Sequence, residues 1–159
     1  MSVVLWRIAQ EAREYRADDL SGLGAAKTGG RWNSVGKPIV YASHSVALAY
    51  LETLAHLGRE APRNRFLVRI VVADKVWDQS LWAKEKDLPK TWRAESAGIG
   101  SVQLGDKWLA GGKSALLCLP SVIVPEDTNV LINPNHPDAT SMQARVQRQL
   151  LYDTRLLRI

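Results

Sequence analysis

A chain of 159 residues that is 46% hydrophobic and 23% charged has the composition of one globular domain; a domain of this size buries roughly two-thirds of the surface its unfolded form exposes. No apolar run approaches the roughly 18 residues of a membrane span. The N-terminus MSVVLWRIAQ lacks the basic start and long apolar stretch of a secretory signal, so a cytoplasmic location is expected. The net charge of +5 invites a nucleic-acid role, but Lys and Arg are scattered, often beside acids, and read as a solvated surface.

In chain order, Val3 to Ile8 is β-branched and apolar and reads as an opening strand ending near Trp6 and Arg7. Glu11 to Asp19 reads as a short helix or turn, and Ser21 to Gly30 as a glycine-rich loop. The glycines match neither the GxxxxGK[ST] phosphate loop nor the GxGxxG dinucleotide fingerprint. After the turn at Gly36, Lys37 and Pro38, Ile39 to Ala42 is a strand carrying Tyr41. Ser43 or Ser45 then caps a helix, whose positions Val46, Ala49, Tyr50, Leu54 and Leu57 recur at helical spacing and should pack on a sheet. Glu52 lies on a second face among Leu48, Leu51, Ala55 and His56. Left to spacing alone, the favoured reading is a partly exposed helix carboxylate, with His56 in reach as a partner.

Phe66 to Val72 alternates as a central strand and continues toward Val76, whereas Asp78 to Glu95 loses the pattern and reads as a long connection with short helical turns. Trp82 and Trp92 in that connection read as covers over the core. Ala97 to Leu109 is a second helix, stopped by Gly111 and Gly112. Ser114 to Pro125 reads as a buried strand, a break at Pro120 and another strand; Asn129 to Ile132 is a short strand; and Asn133, Asn135 and His136 form a polar turn that binds a ligand or closes the loop. The last strand is Ala144 to Leu151. Helices and strands without regular βαβ spacing favour an α+β domain.

The lone Cys118, in ALLCLP, reads as a buried hydrophobe rather than a nucleophile. His44, His56, His136 and one cysteine show no metal-ligand spacing, so no metal is expected. A Ser-His-Asp hydrolase has no GxSxG elbow to stand on. What does stand out is that Arg31, Tyr41 and Glu52 place a fixed cation, an aromatic face and a carboxylate on three consecutive elements.

The blocks LWRI, GGRWNSVGKPIVYAS, ALAYLETLAHL, KSALLCLPSVIVPEDTNVLINPNHPDA and DTRL resemble, in order, those of the RES-domain family, toxins of bacterial toxin-antitoxin pairs. The resemblance implies an ADP-ribosyltransferase-like α+β fold, a split mixed sheet with flanking helices around an NAD cleft. It maps the family's Arg, Glu and Ser onto Arg31, Glu52 and Ser114, and its active-site Tyr onto Tyr41. It implies NAD as substrate, either degraded to deplete the cell, the favoured outcome, or used to ADP-ribosylate a protein. It also implies a cognate Xre-type helix-turn-helix antitoxin that blocks the cleft, with DNA contacted only through that partner. A basic nucleic-acid-binding module is the remote alternative, and it leaves the Arg31, Tyr41, Glu52 series unexplained.

The side chains suit that chemistry. A forked, permanent guanidinium at Arg31 is suited to pyrophosphate or the adjoining ribose, and Tyr41 to stacking on nicotinamide. A carboxylate at Glu52 stabilises the positive charge that develops on ribose as nicotinamide leaves. Ser114 is expected to orient Glu52 or bond the nicotinamide amide. Arg7 is a candidate second phosphate contact and Asn133 a candidate ligand contact.

Overall fold

The computed structural model describes residues 1–58 and 60–157. Seven strands form one sheet in the order β4-β5-β6-β2-β1-β3-β7. They are β1 (Ser2–Ala9), β2 (Val40–Ser43), β3 (Phe66–Ala73), β4 (Leu81–Trp82), β5 (Leu116–Pro120), β6 (Thr128–Ile132) and β7 (Gln143–Gln149). Only the β4/β5 pair is parallel; every other neighbour is antiparallel. The sheet is therefore mixed, in an α+β arrangement with helices α1 (Leu23–Thr28), α2 (Val46–Leu54), α3 (Asp74–Trp77) and α4 (Ile99–Gly111).

One seam is almost unzipped. β1 pairs with β3 along its full length, from Ser2 opposite Ala73 to Ala9 opposite Phe66, but meets β2 at the single pair Trp6 and Ser43. Past that pair β1 and β2 diverge, and the sheet is split where a ligand can enter.

Alternation along the strands feeds two cores. Leu116, Cys118, Val130 and Ile132 join Leu5, Val40, Val68, Ile70 and Val72 in one cluster, while Leu117, Leu119 and Leu131 join Trp32, Ile39, Leu88, Trp92 and Trp108 in the other. β5 and β6 are thus apolar on both faces, which is why they read as continuous hydrophobic runs. Helix α4 sits directly on the turn that carries Arg31: a Cβ at Gly105 would collide with the Trp32 carbonyl, so only glycine allows this approach.

Several expectations are corrected. The glycine-rich stretch contains α1, a six-residue helix between Gly22 and Gly29, both in the left-handed region. Val76 belongs to α3 rather than to an extended β3. No second strand follows Pro120; Ser121 turns the chain instead, its Oγ accepting from the N–H groups of Ile123 and Val124 at 3.1 Å each. Ser45, not Ser43, caps α2, accepting from the Leu48 N–H. The residues α2 buries are Leu48 and Ala49, whereas Val46, Tyr50 and Leu54 are only partly covered. Trp92 is buried as a core cover, but Trp82 is 54% exposed. None of the helices among the described residues is long and apolar enough to cross a membrane.

Candidate active site in the split of the sheet

A cleft of about 500 Å³ opens at the diverging seam, within the range of ligand pockets. β1 lines it with Trp6, Arg7 and Ile8, β2 with Tyr41 and Ser43, α2 with Glu52 and Thr53, and the turn after α1 with Gly30 and Arg31. Four of the six expected site residues, Arg7, Arg31, Tyr41 and Glu52, therefore share one cavity.

Glu52 follows Leu48 by four residues and Ala49 by three, so it continues the buried side of α2 one turn on. Its Oε1 accepts from Ser121 Oγ at 2.6 Å and from Asn129 Nδ2 at 2.5 Å. Asn129 Oδ1 in turn accepts from Ser43 Oγ at 2.7 Å. Oε2 makes no hydrogen bond among the described residues, and neither Glu52 oxygen bonds His56. One carboxylate oxygen is tied down by two donors, on a residue that lines the cleft.

Tyr41 turns its hydroxyl toward the protein. It accepts from the Trp32 N–H at 3.0 Å and donates to Asn33 Oδ1 at 2.7 Å, fastening the turn that bears Arg31. Burial pushes this phenol far above its usual pKa, against the pull of the Trp32 N–H, so it stays a protonated donor. The fit at the turn is close: a Cβ on Gly30 would lie 2.7 Å from the Tyr41 oxygen. The ring is what Tyr41 offers the cleft.

The two arginines are held differently. Arg31 Nη1 donates to the carbonyls of Trp92 at 3.0 Å and Ala94 at 2.8 Å, and Nη2 to that of Glu95 at 3.2 Å. That guanidinium braces the segment before α4 and has only its remaining N–H groups for a ligand. Arg7 is the opposite case, for its buried Nη1 has no partner among the described residues. Burial lowers the Arg7 pKa, with Asp19 and then Tyr15 acting in the other direction. A guanidinium with one buried, unpartnered nitrogen, on the wall of a cleft, is suited to an anion.

Ser114 and Asn133 do not line the cleft. Ser114 is buried and its Oγ accepts from Trp108 Nε1 at 3.0 Å and donates to the Leu116 carbonyl at 2.8 Å. Asn133 donates to the Leu109 carbonyl at 3.2 Å and accepts from the Asn135 N–H at 3.1 Å. Both lie at one end of the β5/β6 pair, where the Asn133 N–H bonds the Ala115 carbonyl. Ser121 and Asn129 lie at the other end, where Leu119 faces Asn129. The serine that reaches Glu52 is thus Ser121, and the asparagine is Asn129. Ser114→Ala is expected to lower stability by about 1 kcal/mol with little effect on activity, whereas Ser121→Ala is expected to lower activity at least about tenfold. Chemical denaturation and an activity assay on both variants check this.

Comparison with known proteins agrees with this architecture. The model of the RES domain matches residues 4–154. A curated relative from Sphingobium sp. (strain YBL2), named "Prs ADP-ribosylating toxin", is 54% identical over 99% of both chains. A protein of Yersinia enterocolitica named "Toxin Res" is 34% identical over 97% of this chain and 99% of its own. Among solved structures, the fold is similar to that in the crystal structure of the M. tuberculosis MbcT-MbcA toxin-antitoxin complex, with a TM-score of 0.61 at 17% identity, over 99% of this chain and 87% of that one. A domain match across nearly the whole length, joined by relatives 54% and 34% identical over nearly their full lengths, places this chain in the RES-domain family.

Proposed function

We propose that this RES-domain protein is a toxin that cleaves the nicotinamide–ribose bond of NAD and passes ADP-ribose to a protein side chain. The observation that carries the reading is the Glu52 carboxylate, fixed through Oε1 by Ser121 and Asn129 with no partner on Oε2 among the described residues, in a cleft also lined by Arg7, whose buried Nη1 has no partner among them.

In this reading Arg7, with the remaining N–H groups of Arg31, takes the pyrophosphate, and the Tyr41 ring stacks on nicotinamide. As the C–N glycosidic bond breaks, nicotinamide leaves with the bonding electrons and ribose C1′ becomes cationic. Glu52 stabilises that cation and binds a ribose hydroxyl through Oε2. The acceptor then attacks C1′ and gives up its proton to solvent. A protein acceptor is favoured by the 54% identity to a full-length relative named for ADP-ribosylation. Breakdown of NAD with water or phosphate as acceptor, the outcome favoured by sequence, shares every step up to the departure of nicotinamide.

A cognate Xre-type antitoxin is proposed to cover the cleft in the cytoplasm, with any DNA contact made through it. The family assignment supports this, as does the likeness in fold to a toxin solved with its antitoxin.

Purified protein free of any partner is expected to release nicotinamide from NAD and to attach ADP-ribose to Prs, the target named in the Sphingobium relative. Mass spectrometry of Prs and of the small-molecule products, with and without phosphate, separates the acceptors. Free ADP-ribose or its phosphate, with Prs unlabelled, would make degradation the activity. The absence of both nicotinamide release and labelled protein would overturn the reading.

A further inference from the structure

We propose that Asn129, set by Ser43, is a positioning residue for Glu52: its amide fixes the carboxylate so that Oε1 is bound and Oε2 is left for the substrate. The proposal rests on Glu52 being the group that acts at the ribose.

The orientation of the Asn129 amide follows from its neighbours. Nδ2 sits 2.5 Å from Glu52 Oε1 and Oδ1 sits 2.7 Å from Ser43 Oγ. Turned over, the amide would set Oδ1 against a carboxylate oxygen, acceptor to acceptor, and would force Ser43 to accept rather than donate. The acceptor-only carboxylate of Glu52 therefore selects this orientation, and the Ser43 hydroxyl, able to donate, satisfies the Oδ1 that it leaves.

The placement of this pair is rigid. Ser43 and Asn129 are direct cross-strand partners between β2 and β6, and Ser43 is also the one β2 residue paired with β1, opposite Trp6. The relay is therefore anchored at the pinch of the split sheet, where the seam is closed. Glu52 comes from a different element, the nine-residue helix α2. A carboxylate at the end of a flexible side chain, on a helix beside an open cleft, has several rotamers available. Ser121 alone supplies one donor from the turn after β5; Asn129 adds a second donor from β6 to the same oxygen. Two donors from two separate segments, a turn and a strand, define a direction where one defines only a distance.

This differs from a role for Asn129 in binding substrate directly, although Asn129 also lines the cleft. Its Nδ2 and Oδ1 are both engaged by protein groups, so its effect is expected to pass through Glu52.

The test is a double-mutant cycle on nicotinamide release from NAD, joined to a crystal structure of one variant. Asn129→Ala is expected to lower kcat by about 10- to 100-fold with KM changed less, and Ser43→Ala to lower it several-fold. In a Glu52→Gln background, Asn129→Ala is expected to cost no more than about twofold, because residues acting through one group are not additive. An Asn129→Ala protein that is folded and keeps wild-type kcat overturns the proposal. An equal loss in the Glu52→Gln background overturns it as well, assigning Asn129 to substrate or to packing. The crystal structure of Asn129→Ala should show Glu52 moved or spread over rotamers; an unmoved Glu52 overturns the proposal even if activity falls. If the wild-type protein leaves NAD intact, the functional reading fails, and the position of Glu52 in that crystal structure still decides the positioning.

Discussion

Glu52→Gln is expected to reduce nicotinamide release by about 10²- to 10³-fold while leaving the fold and its melting temperature nearly unchanged. The substitution separates charge from shape. A glutamine of the same length can turn its amide oxygen toward Ser121 Oγ and Asn129 Nδ2, the two donors that Oε1 receives at 2.6 Å and 2.5 Å. Neither donor is then left unpaired, which is the usual source of a stability loss at such a site. What changes is the other end of the group: the free, negatively charged Oε2 becomes a neutral NH₂ facing the cleft. It no longer stabilises a cation at ribose C1′, and it donates where a carboxylate accepts. Because the charge develops only as nicotinamide leaves, the loss should fall on kcat, with NAD affinity little altered. Steady-state kinetics beside a thermal melt would check this. A Glu52→Gln protein retaining more than about a tenth of wild-type kcat would remove Glu52 from the chemistry.

The two expected residues that lie outside the cleft, Ser114 and Asn133, share one physical cause. Ser114 and Ser121 flank β5, while Asn129 and Asn133 stand at the two ends of β6. In sequence each pair is symmetrical, since both serines border the same apolar run and both asparagines border the same strand. Which end of the β5/β6 pair meets the cleft depends on where the seam between β1 and β2 opens, and that is set by pairing across the sheet, not by any local pattern. The expectation selected Ser114 and Asn133, both at the end away from the cleft, and one geometric fact exchanges both.

Residues whose placement follows from local pattern fared differently. β3 was legible because its alternation fits a face-specific sheet, β1 because its run is β-branched and apolar, and α2 because its apolar spacing follows a serine cap. α1 was hidden because its alanines lie among glycines and it buries none of its own residues, leaving no apolar period to detect. Arg31 was legible as a cleft residue, but its three bonds to carbonyls more than sixty residues away were not, since nothing local to GGRWN announces the segment it braces.

Arg7→Met should weaken NAD binding by about 10- to 100-fold and at the same time make the folded protein more stable. Methionine is an unbranched side chain that fills the apolar part of the space Arg7 occupies, and it brings no polar atom into it. In the wild-type protein Arg7 Nη1 is buried without a partner, and burial pulls the guanidinium pKa below its usual value despite Asp19 and Tyr15. Leaving a buried polar group unpaired costs about 1 to 3 kcal/mol, so removing it should stabilise the fold by an amount of that order. The same unpaired group is what an arriving phosphate would satisfy, and a bond to a charged group contributes about 1.5 to 3 kcal/mol net. Its loss acts equally on bound NAD and on the transition state, so KM should rise while kcat stays within a few-fold of wild type, the reverse of the pattern expected for Glu52→Gln. Urea denaturation and calorimetric titration with NAD on the same preparation measure both effects. A variant that binds NAD as tightly as wild type would mean that the phosphates lie elsewhere, and one that is less stable would mean that the guanidinium is satisfied in the free protein. Stability gained and affinity lost through one substitution would identify Arg7 as a side chain kept buried for its ligand.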